Sequence, residues 1–302
     1  MAEWGLCTTL KAPTEQVLAF VAHHLGLGAK HLWLFFDDPD DPAYEATRAI
    51  PGVTATRCDA AYWQGVSKTR PDTHQNRQVR NIHTLYGKGL VPWLGHIDVD
   101  EFLWPARPVA DILDSLPPDR ILMRAAPWEA LHAAGLPDDI FTARQFRAAL
   151  RHGPLARAAR MRAFGLYSGL LPTGALSHAA GKCFFRRGVR RLAPRLHSAF
   201  LHGERVTGDA PHPDIALLHF HAHDPDAWKA RLHYRLTQGA YRAQPGLIET
   251  LLTASPAEID AFYSAVQCPS PDTIAYLAAN GFLIEADLAL RAKIARLATP
   301  SP

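Results

Sequence analysis

The chain has 302 residues, 48% of them hydrophobic and 20% charged, with a formal net charge of +3. That balance excludes bulk disorder and supplies enough material for a large core, in one big domain or a domain and a half. No apolar run approaches the roughly 18 residues of a membrane span, and no basic start leads into an apolar signal region.

The first 125 residues alternate between two periods. A short strand is expected over residues 6–10. A helix follows over 13–27, with Thr14 as N-cap, Val17, Leu18, Val21 and Leu25 on one face, and Gly26 and Gly28 at its end. The near-continuous apolar run HLWLFF predicts a strand over 31–36 that stops at DDPDDP; a short helix over 44–50 and a strand over 53–58 come next. Residues 73–87 read as a helix with Val79, Ile82 and Tyr86 on one side and Arg77, Asn81, Thr84 and Lys88 on another. Then come the stretch WLGHIDVDEFLW (93–104), a short helix over 110–116 and a strand over 121–125. Buried strands alternating with helices predict a mostly parallel α/β sheet, whose ligands sit beyond the carboxyl ends of the strands. No GxGxxG or GxxxxGK[ST] is present, which disfavours a dinucleotide-binding domain and a P-loop.

The middle of the chain is less regular, with strands expected over 182–187 and 215–223, and the chain from 224 onward reads as helical. The last helix, 286–297, carries Leu290, Ile294 and Leu297 opposite Arg291, Lys293 and Arg296. Such a stripe packs on its own domain or lies on anionic lipid. Cys7, Cys58, Cys183 and Cys268 are far apart with no CxxC pair, so a zinc site or disulfide framework is not indicated and a reduced, cytoplasmic setting is expected.

Two features carry chemistry. Asp98, Asp100 and Glu101 crowd three carboxylates into four residues of an otherwise apolar strand, which is costly unless they are paired or hold a cation. Strand alternation would put Asp98 and Asp100 on one face, where their oxygens suit Mg²⁺ or Mn²⁺ with bound phosphate. From Arg144 to Arg205, thirteen Arg or Lys residues face a single acid, Glu204. Arg144, Arg147 and Arg151 follow helical spacing, as do Arg157 and Arg160 after Pro154. This segment reads either as a face for an anionic partner or as a solvated arginine-rich surface.

Four motifs, in order, resemble family 2-type glycosyltransferases of the GT-A fold, in the bacterial branch with a D-x-D-E-F signature. They are EQVLAFVAHHLGLGAKHLWLFFDDPDD (15–41), HQNRQVRNIHTLYGKGLVPWLGHIDVDEFL (74–103), GKCFFRR (181–187) followed by His197, and LLHFHAHDPDAWKAR (217–231). The resemblance covers about residues 6–235. It departs at the DDPDDP turn and at LHAAG (131–135), where the family tends to have a Phe-Gly-Ser-Gly turn.

The resemblance implies a GT-A domain over 1–230, with a nucleotide-sugar-binding half over 1–125 and an acceptor half over 126–230. Beyond the resemblance, a helical C-terminal extension is expected over 231–302. The resemblance implies a metal-dependent transferase moving a sugar from a UDP- or GDP-linked donor to a glycan or lipid-linked acceptor in cell-surface polysaccharide synthesis. Peripheral contact with the inner face of an anionic membrane is expected, and no nucleic-acid partner. Asp98 would lie near the ribose or the Mn²⁺ or Mg²⁺ ion, and Asp100 would bind metal and diphosphate. Glu101 would support them or pair with a basic residue of the middle segment. Asp37 would accept from base or ribose, with Thr8, Thr9 and Lys11 closing the pocket. Gln75, Gln78 and Asn81 would orient the donor, and Lys182 would face phosphate. His197 and His219 would line the site, His219 as a metal ligand, whereas His221 and His223 read as ordinary histidines. Asp138, Asp139 and His132 are the candidate general bases. Two rivals stand beside this reading. One is a metal-dependent nucleotidyltransferase, although TTLKAPTE lacks its glycine-rich loop; the other is a non-catalytic glycan- or membrane-binding protein of the same fold.

Overall fold

A computed structural model describes residues 1–132, 140–208, 210–242 and 244–297. The chain divides into two units, one made of residues 1–126, 181–217 and 289–302, the other of 127–180 and 218–288. Among the described residues no helix is long and apolar enough to cross a membrane.

In chain order the first unit opens with β1 (Trp4–Leu10), α1 (Thr14–Gly26), β2 (His31–Phe36), α2 (Ala43–Thr47), β3 (Val53–Arg57), α3 (Ala60–Ser67) and α4 (His74–Lys88). It continues with β4 (Trp93–His96), β5 (Glu101–Pro105) and α5 (Val109–Asp114), and β6 (Leu122–Ala130) leads the chain into the second unit. There β7 (Gln145–Ala148) and α6 (Pro154–Phe164) follow. The chain returns to the first unit with β8 (Lys182–Arg186), β9 (Leu192–Pro194), β10 (Ala199–Leu201) and β11 (Glu204–Arg205). It leaves again through β12 (Ile215–His219). The second unit then adds α7 (Pro225–Ala230), α8 (Leu232–Thr237), α9 (Pro245–Leu251), α10 (Pro256–Gln267), α11 (Pro271–Ala279) and β13 (Leu283–Glu285). The last helix, α12 (Leu290–Leu297), belongs to the first unit.

The first unit is the expected Rossmann-like α/β arrangement, a mostly parallel sheet flanked by helices. Its sheet runs β3-β2-β1-β4 with all neighbours parallel; β8 then pairs antiparallel with β4, and residues 122–125 of β6 antiparallel with β8. All seven residues of β1 are buried, because helices cover the sheet and leave no polar face. On one side Ile82 and Leu85 of α4 pack with Cys7, Trp33, Phe35 and Leu94. The side chain of Thr73 caps α4 by accepting from the Asn76 N–H, and Gly89 ends it at φ 58°. Gly95 in β4 leaves room where a Cβ would lie 2.6 Å from Leu6 Cδ2 and 3.0 Å from Phe184 Cε1. α12 packs along α1, where Arg291 reaches Glu15 and Lys293 donates to the buried His23, so these two cations serve the fold.

The second unit has its own core, in which Phe164, Trp228, Tyr241 and Phe262 are all buried. Its strands β13, β7 and residues 128–130 of β6 pair antiparallel. The helical spacing of Arg144, Arg147 and Arg151 does not produce a helix. Gln145–Ala148 is the middle strand between β6 and β13, and Arg147 is fully buried against Glu129 (3.4 Å) with its guanidinium over the Phe164 ring. Arg144 pairs with Asp287. Propensity is a weak prior against pairing on both sides.

Candidate active site

Along β3-β2-β1-β4 the chain progresses one way from β1 to β3 and the other way to β4, so the order reverses between β1 and β4. The carboxyl ends of these two strands, where the order reverses, are the usual place for a ligand in such a sheet. The acidic run lies there. β4 stops at His96, however, and residues 97–100 form a turn before β5 begins at Glu101. Strand alternation therefore does not extend through Asp98 and Asp100, and the expectation of one unbroken strand is corrected.

The turn is closed twice. The Glu101 N–H donates to the Asp98 carbonyl at 3.0 Å, and the Asp98 N–H donates to the Glu101 carboxylate at 2.7 Å. Glu101 is fully buried, while Asp98 and Asp100 are half-buried. The cation that the sequence demands is Lys182, at the start of β8. Its ammonium, 2% exposed, lies 2.6 Å from Asp98 Oδ2 and 3.4 Å from Glu101 Oε2. Gln78 of α4 donates to Asp98 Oδ1 at 2.5 Å. Burial would raise the Asp98 carboxyl, but the charge and hydrogen bond of Lys182 outweigh it and hold the carboxyl well below its usual range. Burial likewise opposes the Lys182 charge, and Asp98 and Glu101 reverse it, raising the ammonium above its ordinary value. Beneath them His96 is 1% exposed, with neither ring nitrogen hydrogen-bonded among the described residues. Burial, aided by Lys182, pushes it down to about 3, so it stays neutral.

A second cluster lies beyond β2. Asp37 accepts from Arg77 at both oxygens (2.6 and 2.8 Å) and from Arg70 at 3.0 Å, with His74 at 3.6 Å. Burial would raise its carboxyl; hydrogen bonds from His74 and Arg77 and the two arginine charges lower it well below the normal range. The structure thus uses Asp37 to hold Arg77, and a ligand hydroxyl would have to share those oxygens. Next to it opens a cavity of about 700 Å³, lined among others by Lys11, Asp38, Asp59, Trp63, Gln64 and Arg70. Lys11 pairs with Asp38 at 3.0 Å.

The remaining expected residues divide. In the first unit Asn81, fully buried, donates to Thr9 Oγ1 and accepts from Tyr62, tying α4 and α3 to β1. The Thr8 hydroxyl is buried with no partner among the described residues. Gln75 is exposed on the first turn of α4. His197 is half-buried, its Nδ1 2.8 Å from the Gly181 carbonyl. Two expected residues lie in the second unit. His219 sits beside Ser177 (Nδ1 to Oγ 3.2 Å) with its ring 5.2 Å from that of His178; His132 has its ring against Tyr263, and its N–H donates to Gln267. Asp138 and Asp139 lie outside the described residues. Sequence reasoning missed Arg70, Asp59, Trp63 and Gln64, which follow a strand whose loop carries no motif. It also passed over Glu129, the acid that neutralises Arg147.

The chain matches no family model and no curated protein. Among solved structures it overlaps S. aureus TarS at 10% identity, over 87% of this chain and 42% of that one, with a TM-score of 0.32. A structure of TarS 1-349 overlaps at 8% identity over 87% of this chain and 70% of the other, with a TM-score of 0.28. The galactosyltransferase LgtC, in complex with donor and acceptor sugar analogs, overlaps at 12% identity, covering 60% of this chain and 57% of that chain, with a TM-score of 0.25. The chain spans less than half the length of the full TarS chain. Superpositions this loose transfer neither a residue nor an activity.

Proposed function

We propose that the chain is a glycosyltransferase whose first unit binds a nucleoside-diphosphate sugar with a divalent cation and passes the sugar to a glycan or lipid-linked acceptor in cell-surface polysaccharide synthesis. One observation carries this reading. The Asp98–Glu101 turn, braced by a buried lysine, stands at the carboxyl end of β4 in the same sheet whose β1–β3 ends border a nucleotide-sized cavity.

Asp98 and Asp100 offer hard oxygen donors on one short turn, the chemistry Mg²⁺ or Mn²⁺ requires, and they would hold it. When bound, the cation offsets the charge that builds on the departing diphosphate. The chain's own residues do the rest. Glu101 closes the turn and Gln78 fixes the orientation of Asp98. Lys182 offsets one of the three carboxylate charges. Arg70 and Lys11 bring cations to the cavity wall, and Asp59 and Gln64 bring groups that can read a base or ribose. In the transfer, a bond forms between the acceptor oxygen and the anomeric carbon while the bond from that carbon to the diphosphate breaks. The acceptor proton passes to a base, for which Asp138, Asp139 and His132 are the candidates.

Calorimetry of UDP, GDP and their sugars, with and without Mn²⁺, tests this. Affinity should rise about tenfold or more with Mn²⁺, and Asp100→Asn should abolish that rise. Equal affinity with and without the cation, or in the variant, would refute the reading.

A further inference from the structure

The second unit contains a cavity of about 450 Å³ that no role described so far uses. It is bordered by the segment after β7, the turn before residue 171, the loop over 172–180 and the approach to α9. We propose that it binds a sugar ring carrying an anionic group, with Arg151 facing the anion and Gln244 accepting from a ring hydroxyl.

Three observations support this. The first is charge. Arg151 lines the cavity, and among the described residues no carboxylate does. Arg151 is exposed, and its one side-chain hydrogen bond among the described residues runs to the Ala179 carbonyl at 3.2 Å, which leaves most of a five-donor fork for a ligand. A guanidinium fork matches a carboxylate or phosphate in two places at once. The second is an unmet acceptor. Gln244 Oε1 is buried in the wall with no hydrogen-bond partner among the described residues. Buried polar oxygens are normally satisfied, so this one is matched to a donor that a ligand brings, such as a sugar hydroxyl. The third is preorganisation. Glu129, 2% exposed, accepts from the Leu176 N–H (2.9 Å), the Ser177 N–H (2.6 Å) and the Ser177 hydroxyl (2.7 Å). Ser177 also meets His219, whose ring lies against that of His178. The floor of the cavity is therefore fixed before a ligand arrives.

The walls suit a ring. Gly169, Pro172, Ala179, Ala240 and Pro245 project little side chain, and the volume falls within the range of about 300–1,000 Å³ typical of small-molecule pockets. A neutral sugar would leave the arginine unused, and a small inorganic anion would leave most of the space and the Gln244 oxygen unmet. A uronic acid or a sugar phosphate uses all three. Resting on the glycosyl-transfer reading, this makes the acceptor an acidic glycan.

The test titrates methyl glucuronide, glucose 6-phosphate, methyl glucoside and inorganic phosphate into the full chain, followed by saturation-transfer NMR. At least one charged sugar should bind about tenfold or more tightly than the glucoside, the value of one charge-assisted pair. Which of the two is tighter separates a uronate from a phosphate ligand. Arg151→Gln should erase the preference, and Gln244→Leu should weaken sugar binding while sparing inorganic phosphate. Mn²⁺-dependent nucleotide affinity should be unchanged in both variants, which also reports intact folding. Equal binding of charged and neutral sugars, retention of the preference in Arg151→Gln, or inorganic phosphate binding as tightly as the charged sugars would overturn the proposal. Absent nucleotide binding in the parent chain would instead remove the transferase reading and leave the sugar site standing.

Discussion

Replacing Lys182 by methionine keeps most of the buried stem and removes the charge. Two carboxylates then lose the lysine, Asp98 at 2.6 Å and Glu101 at 3.4 Å, while Asp98 keeps Gln78 and Glu101 keeps the Asp98 N–H. Stranding a buried charge costs about 3–5 kcal/mol. The Asp98 side chain is 32% exposed, so water relieves part of its loss, whereas Glu101 at 0% gains no such relief. The lower end, about 3 kcal/mol, is therefore expected. For a unit of this size that lowers Tm by about 6–12 °C. Calorimetric melts of Lys182→Met in chelator should show this drop. Adding Mn²⁺ should raise Tm more in the variant than in the parent, because a cation held by Asp98 and Asp100 takes over the lost compensation. Converting Glu101 to Gln in the same chain should recover part of the loss, since one uncompensated buried charge is then gone. A Lys182→Met Tm within about 2 °C of the parent would refute the account of the turn as a lysine-compensated acidic cluster.

The Asp37 carboxyl is depressed in the folded chain, so its contribution is present above the unfolded value of about 3.9 and fades as pH falls below it. Asp37→Asn should therefore be less stable than the parent at pH 7, and the two melting curves should converge as pH falls below about 4; a gap that stays constant with pH would exclude the Arg77 clamp as its source. At Gly95 an added Cβ meets Leu6 and Phe184 at 2.6 and 3.0 Å, so Gly95→Ala should cost about 1–3 kcal/mol in urea unfolding. Shortening Leu6 to Val in the same chain should return some of it.

The first unit was legible because its strands and helices differ in period. The helix expected over 73–87 is observed as α4, and its Thr73 cap and Gly89 stop are written in the sequence. What the sequence could not reveal is pairing across distance. Lys182 was expected to face phosphate, yet its partner Asp98 is 84 residues earlier. Arg147 fits a basic helix face on spacing alone; only the pairing of β6 with β7 brings Glu129 opposite it and turns a surface charge into a core one. The second unit draws on 127–180 and 218–288, so neither segment displays a complete hydrophobic pattern alone. The cavity beyond β3 was missed for a similar reason: Asp59, Trp63 and Gln64 serve a helix of eight residues, and nothing in their spacing marks a site.

The separation of Asp98 from Lys182 also has a consequence in time. A chain made at about 5–20 residues per second exposes its acidic turn for about 4–17 seconds before the lysine 84 residues downstream exists. Through that interval Glu101 cannot enter the interior at low cost, and β8, which carries the lysine, is also the strand that covers the free edge of β4. Charge compensation and edge closure therefore arrive in one step. The nascent sheet stays open on its β4 side, with its acids in water, until the strand that completes the site also closes that edge.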